Sequence, residues 1–223
     1  MQSHSPLPWE EYKESCSIKI LAQTIVEILK NPSGSLGSLK NDGRWKKPTY
    51  FAMVVVFTGL LFSSAWSVLI IMGMKFPEPE PPGVSVSPVS LFSTFFGVLL
   101  VLIPLLVTIS TIMYSSVLHG FLRLYGEGKA GFNVTYKVIC YSSASCIAGI
   151  IPLLGWIIPA IWGFGLVMVG TLKAHSLKPW KGIVATFIAS VIFLAILMVI
   201  LFGILYLYIA MRPDLELLPS LSS

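Results

Sequence analysis

The chain alternates between five long apolar stretches and shorter polar ones. The apolar stretches occupy residues 50–74, 90–118, 134–151, 156–172 and 183–211. About 20 apolar residues are enough for a helix to cross the hydrocarbon core of a bilayer. None of the five stretches contains Asp, Glu or Arg, and the third contains a single lysine, Lys137, near its start. The pattern predicts an all-α polytopic membrane protein, a bundle of five transmembrane helices.

The third stretch predicts its helix least clearly. It contains Ser142, Ser143 and Ser145, and only residues 152–155 separate it from the fourth stretch. Such a short connection predicts a tight helical hairpin that inserts as a unit. The alternative is a re-entrant pair that does not cross the membrane fully.

A polar segment, residues 1–49, precedes the first span, and a short tail, 212–223, follows the last. Within the first segment, Ile18, Leu21, Ile25 and Ile28 recur at helical spacing between charged residues. This spacing predicts an amphipathic helix ending near Asn31, which lies in the headgroup plane or packs on the ends of the spans. The polar start lacks the basic and apolar regions of a signal peptide, so we expect no cleavage.

The positive charge is distributed as membrane topology requires. The net charge is +5, and of the 15 lysines and arginines only Lys75 and Arg212 lie on one side of the predicted bundle. The others precede the first span or lie between spans two and three or four and five. Because cytosolic loops carry the excess of Lys and Arg, we expect a cytosolic N-terminus and a C-terminus outside. The charge therefore does not indicate nucleic-acid binding.

Residues 126–131 read GEGKAG, which matches the G-x-G-x-x-G of dinucleotide-binding loops. That loop works between a strand and a helix, with an acidic residue about 20 positions later. Here a predicted membrane helix precedes the glycine residues, and the residues about 20 positions after them are apolar instead of acidic. We expect a turn between spans two and three and no nucleotide site.

A polar stripe runs along the second span. Thr108, Thr111, Ser115 and His119 follow at spacings of three, four and four, which places them on one helix face. The third span offers polar and small residues to match. The set is Tyr141, Ser142, Ser145 and Gly149. Interhelical hydrogen bonding is the favoured interpretation, and a path or groove for a small solute is the alternative.

Candidate chemistry is sparse. His119 and His175 fall at ends of spans that should face the same side, but a zinc site needs three or four ligands. We therefore predict no metal, no cofactor and no enzymatic activity, since paired carboxylates and nucleophile–base arrangements are also missing.

From His119 onward the sequence resembles a known family. The matching stretches read HGFLRLYG at 119–126, GF at 131–132, YKVICYSS at 136–143, IPLLGW at 151–156, IW at 161–162 and GTLKAHSL at 170–177. Together they are similar to the Yip domain family of five-span membrane proteins, and nearest to its prokaryotic branch. Eukaryotic members of that family are implicated in vesicle traffic, bind Rab-type GTPases and associate with one another. They carry an Asp-Leu-Tyr-Gly-Pro motif before the first span. Here Leu124-Tyr125-Gly126 lies after the second span without the Asp or Pro, so GTPase binding is not carried over.

The resemblance implies a non-enzymatic membrane scaffold or interaction protein, membrane-organising or trafficking-related, with a cytosolic N-terminus, in the plasma membrane of a prokaryote. The expected partners are membrane lipids and a protein partner or a second copy of the chain, with no nucleic acid and no nucleotide. A transporter or channel using the polar stripe remains the alternative. The candidate binding residues are His119, Arg123, Tyr141, Ser142, Lys173 and His175.

Overall fold

The computed structural model describes residues 7–11, 17–73, 88–155 and 157–210, and these ranges contain helices and no strand. The α-helices are α1 (Pro8–Glu11), α2 (Ile18–Lys30), α3 (Pro32–Gly37), α4 (Lys46–Gly73), α5 (Pro88–Leu124), α6 (Phe132–Ser142), α7 (Ile157–Ala174) and α8 (Pro179–Ala210). A 3₁₀ helix, Ser143–Ile150, continues directly from α6. The predicted tail, 212–223, lies outside the described residues.

Four of the described helices are long and apolar enough to cross a membrane: α4, α5, α7 and α8. They correspond to the predicted first, second, fourth and fifth spans. The second helix is longer than predicted, because it continues through Gly120 to Leu124. The fifth begins earlier, at Pro179, whose fixed φ suits the first turn of a helix.

The predicted third span is not one continuous α-helix. Its first part is α6, and its second part tightens into the 3₁₀ helix from Ser143. The side chains of Ser143 and Ser145 donate hydrogen bonds to the carbonyls of Cys140 and Ser142, three residues earlier. Such local bonds compete with the regular helical ladder, which explains why the α-helix ends in this serine-rich stretch.

The 3₁₀ helix packs closely against α4. Gly59 and Gly149 face each other across this contact, and a Cβ atom on either would collide with backbone of the opposing segment. Ser63 of α4 donates to the carbonyl of Gly149 (3.3 Å), and the Trp66 indole donates to that of Ile150 (2.9 Å). The first span thus supplies donors to carbonyls that the end of a helix leaves without a partner.

The N-terminal segment, by which we mean residues 7–11 and 17–45, packs against the bundle. Its buried residues Leu7, Trp9, Ile25, Ile28 and Leu36 share one core with residues of α4, α6, the 3₁₀ helix and α7. Asn31 ends α2 as predicted, but α3 follows at once, since the Asn31 side chain accepts from the Gly34 N–H and Pro32 begins the next helix. Ile25 and Ile28 are buried, whereas Ile18 is exposed.

A second core joins α5, α6, α7 and α8 around Leu118, Leu122 and Val167. Tyr114 of α5 lies 2.7 Å from the Ser190 hydroxyl of α8. Since Ser190 donates its own hydrogen to the Thr186 carbonyl, Tyr114 is the donor. The far half of α8 is mostly exposed and apolar, as expected of a surface that faces lipid.

Candidate functional site

One end of the bundle brings together the N-terminal segment, the turn at 126–131 and the connection at 175–178. We call the surface that Arg123 and Lys173 form there, outside the N-terminal segment, the basic face. Asn41 packs against Gly131, and Lys173 packs against Gly37. Gly131 has φ +90°, a conformation that favours glycine, and Gly126 has φ +70°. The glycines at 126–131 therefore form a turn, as predicted.

An ion pair fixes this turn to the start of α8. The Lys181 ammonium lies 2.6 Å from the Glu127 carboxylate. The hydrogen bond from Lys181 holds the pKa of Glu127 below its ordinary value. Glu127 therefore stays ionised at neutral pH and holds the turn close to α8.

Two histidines meet a single hydroxyl below the basic face. His119 Nδ1 of α5 and His175 Nε2, just after α7, each lie 3.0 Å from Oγ1 of Thr135 on α6. All three side chains are buried. Because the hydroxyl has one hydrogen, at least one imidazole must donate its N–H to Oγ1. The arrangement joins three helices through polar contacts.

His175 is held in its neutral form. Burial first, and then the neighbouring His119, lower the pKa of His175 to about 4. Its Nδ1 atom is buried and has no hydrogen-bond partner among the described residues. Among all residues that the structure describes, no group of three or more His, Cys, Asp or Glu is placed to hold a metal ion.

A second polar cluster surrounds Lys137 of α6. Its ammonium lies 3.1 Å from the carboxylate of Glu10 and 2.7 Å from that of Asp42. Lys137 is 1% exposed, whereas Glu10 and Asp42 are 11% and 31% exposed. The Tyr141 hydroxyl, one turn further along α6, donates to the other oxygen of Glu10 at 2.8 Å. We call these four residues the charge cluster.

The charge cluster joins the N-terminal segment to the bundle. Partial burial raises the pKa of Asp42, but hydrogen bonds from Lys137 and the Arg44 backbone outweigh it, so the net pKa lies below its ordinary value. Next to Glu10, the Trp9 indole donates to the Lys47 carbonyl (3.0 Å) and lies edge-on to Phe51. Both acidic and aromatic side chains thus hold α1 in place.

Comparison with protein-family models matches the Yip1 domain over residues 26–210. The chain belongs to the Yip1 domain family. Neither curated proteins nor solved structures gave a match. Lys137, Tyr141 and Asp42 lie within the matched Yip1 domain, whereas Glu10 precedes it. The charge cluster therefore joins the domain to a residue outside the match.

The candidate binding residues of this Yip1 domain protein do not form one pocket. His119 and His175 meet at Thr135, and Arg123 and Lys173 are exposed on the basic face. The remaining two are buried elsewhere. Tyr141 belongs to the charge cluster, and Ser142 donates to the Val138 carbonyl of its own helix.

The hydroxyls of the polar stripe bond within α5. Thr108, Thr111 and Ser115 donate to the carbonyls of Pro104, Val107 and Thr111, four residues earlier in each case. Of the predicted partners on the third span, Gly149 instead contacts α4, and Ser145 packs against Gly163 of α7. His119, at the end of the stripe, is bonded to Thr135 on α6, and Thr111 also interacts with Tyr136 and Cys140 of that helix.

Glu10, Asp42 and Thr135 were not among the residues predicted from the sequence. One signal was available: Lys137 is a lysine inside an apolar run, and a buried ammonium needs a carboxylate. The sequence did not indicate which carboxylates would reach it, because Glu10 and Asp42 lie 127 and 95 residues away along the chain.

Proposed function

We propose that this Yip1 domain protein is a non-enzymatic, membrane-embedded interaction protein whose working surface is the basic face. The main support is the distribution of polar side chains. Most of those within the bundle are bonded to their own helix or to a neighbouring one, whereas Arg123 and Lys173 are exposed at its end. Exposed cations near the end of a span attract anionic lipid headgroups and acidic protein segments.

We place the N-terminus in the cytosol of a prokaryote and the C-terminus outside, with five crossings. The third crossing consists of α6 and the 3₁₀ helix. Tyr136, near the start of α6, bonds to Thr49 of α4 (2.6 Å), and Ile150, at the other end, bonds to Trp66. Thr49 and Trp66 are separated by about 26 Å at 1.5 Å per residue, close to the thickness of a hydrocarbon core of about 30 Å. The two segments therefore run parallel over nearly that depth.

In this arrangement α2 lies as an amphipathic helix at the cytosolic surface. Ile25 and Ile28 face the bundle, and Lys19 and Lys30 remain exposed. The segment is anchored by the charge cluster at one end and leads directly into α4 at the other. The exposed part of the basic face is thereby held rigidly against the membrane.

The proposal is tested by vesicle recruitment. The purified protein is placed in nanodiscs of neutral lipid, and its capture of vesicles containing phosphatidylglycerol is measured at low salt. We expect Arg123→Glu with Lys173→Glu to reduce capture at least fivefold. The control is Lys19→Glu with Lys30→Glu, which changes the net charge equally on α2 and should have a smaller effect.

If the two double variants capture vesicles equally, net charge rather than the basic face determines binding, and the proposal fails. Flux of ions or small solutes through proteoliposomes, reduced by Thr111→Val with Ser115→Ala, would instead favour transport. The bonding of the stripe within α5 argues against such flux.

A further inference from the structure

A cavity of about 420 Å³ opens between α1, the connection from α3 to α4 and the side of α6. Its walls carry Glu11 on α1, Lys40 and Arg44 on the connection, and the apolar side chains of Leu7 and Leu39. Lys137 also lines it. Its volume is within the range of small-molecule binding sites, and its lining combines charges of both signs with apolar surface.

Three of these charges are available to a ligand. The ammonium of Lys137 is already neutralised by Glu10 and Asp42. Glu11 and Lys40 are exposed, and within the described ranges neither has an ion-pair partner. Arg44 is 3.6 Å from Asp42, but its side chain is 64% exposed, so it can turn toward a ligand at little cost. Lys47 also lines the cavity, but its ammonium donates to the Glu10 carbonyl. Apart from it and the charges of the cluster, the cavity offers one carboxylate and two cations.

The cavity lies at the end of the first span. The apolar span of α4 begins at Lys46, and Trp45, directly before it, is 56% exposed. Exposed tryptophans at the end of a span are typical of the headgroup level of a bilayer. A ligand in this cavity is therefore within reach of lipid headgroups.

We propose that the cavity binds the headgroup of a phospholipid that carries both a phosphate and a primary ammonium, the phosphatidylethanolamine class. The ammonium donates to Glu11, the phosphate accepts from Lys40 and Arg44, and Leu39 contacts the methylene groups. A choline headgroup has no N–H to donate, and a glycerol headgroup has no cation for Glu11. The inference rests on the proposed function, because it requires the basic face to lie at the membrane, and it names one lipid partner.

The test compares thermal unfolding of the detergent-solubilised full chain, followed by tryptophan fluorescence. Mixed micelles contain phosphatidylethanolamine, phosphatidylcholine or phosphatidylglycerol at equal concentration. We expect Tm to be about 3 °C higher with phosphatidylethanolamine than with the other two, since a ligand that binds only the folded state raises its stability. The difference between lipids should disappear in Glu11→Gln and in Lys40→Gln.

Comparing lipids within each variant keeps the test valid when a substitution changes Tm itself. The matched control is Lys30→Gln, an exposed lysine of α2 away from the cavity, which should retain the full difference. An equal Tm in all three lipids, or a difference that survives Glu11→Gln, would overturn the proposal. A shift produced equally by soluble phosphoethanolamine would overturn the assignment to a lipid. Arg123 and Lys173 are unchanged throughout, so this outcome is independent of vesicle capture by the basic face.

Discussion

Removal of both carboxylates from the charge cluster should strongly destabilise the fold. Glu10→Gln with Asp42→Asn leaves the ammonium of Lys137 in a site where the side chain is 1% exposed, without a counter-charge. Breaking a buried ion pair from one side costs about 3–5 kcal/mol. We expect the lower end, about 3 kcal/mol, because Asp42 is 31% exposed, so that solvent lies close to the ammonium it contacts at 2.7 Å. For a chain of this length that is a fall in Tm of roughly 6–12 °C.

A third substitution should restore the lost stability. Adding Lys137→Met removes the buried charge and keeps a side chain of similar length, so the triple variant should regain most of the lost stability. Thermal unfolding in detergent, followed by tryptophan fluorescence, measures all three proteins. The control is Glu11→Gln, which removes an adjacent exposed carboxylate and should leave Tm within about 1 °C in the absence of added lipid. A double variant as stable as the wild type, or a triple variant no more stable than the double, would refute the account of the cluster.

Three further predictions concern other parts of the molecule. The pKa of His175 is about 4 in the folded chain, below its ordinary value of 6.5, so the unfolded chain takes up the proton first as pH falls. The contribution of His175 to the free energy of unfolding is therefore complete above about pH 6.5 and declines towards pH 4. When Tm is measured against pH, it should decline less steeply in His175→Gln than in the wild type. Gly59→Ala should lower the free energy of unfolding by about 1–3 kcal/mol, because the added Cβ would collide with the Cys146 carbonyl. The control is Gly203→Ala, whose added Cβ has no neighbouring atom within 4 Å and which should be neutral or mildly stabilising. In a cysteine-free background, a membrane-impermeant maleimide added to intact cells should label Leu153→Cys and leave Lys129→Cys unlabelled. If both variants are labelled, or neither, then α6 and the 3₁₀ helix do not cross the membrane.

The membrane helices could be predicted from the sequence because apolar length alone decides them. The bounds of α4 and α7 lie within a few residues of the predictions, since charges and turns mark their ends. The third segment was harder. Its serines indicated a weak helix, but the 3₁₀ geometry also depends on the contact between Gly59 and Gly149, which joins segments 90 residues apart.

The candidate site could be predicted only in part. Its exposed members, Arg123 and Lys173, follow from the same charge pattern that predicts topology. The contact of His119 with His175 follows from their positions at the ends of spans, but its bridging residue, Thr135, lies in an ordinary helical position. The charge cluster depends on where α1 docks, and a five-residue contact has no periodicity from which to predict it.

The central claim, that the basic face is where this Yip1 domain protein meets its partners, is tested most directly by site-specific photo-crosslinking in cells. A photoreactive amino acid replaces Arg123, Lys173 or, as a control on the turn before α7, the exposed Leu153. The account predicts discrete adducts, identifiable by mass spectrometry as one lipid class or one protein, from positions 123 and 173 and not from 153. Adducts from 153 alone, or the same adducts from all three positions, would contradict it.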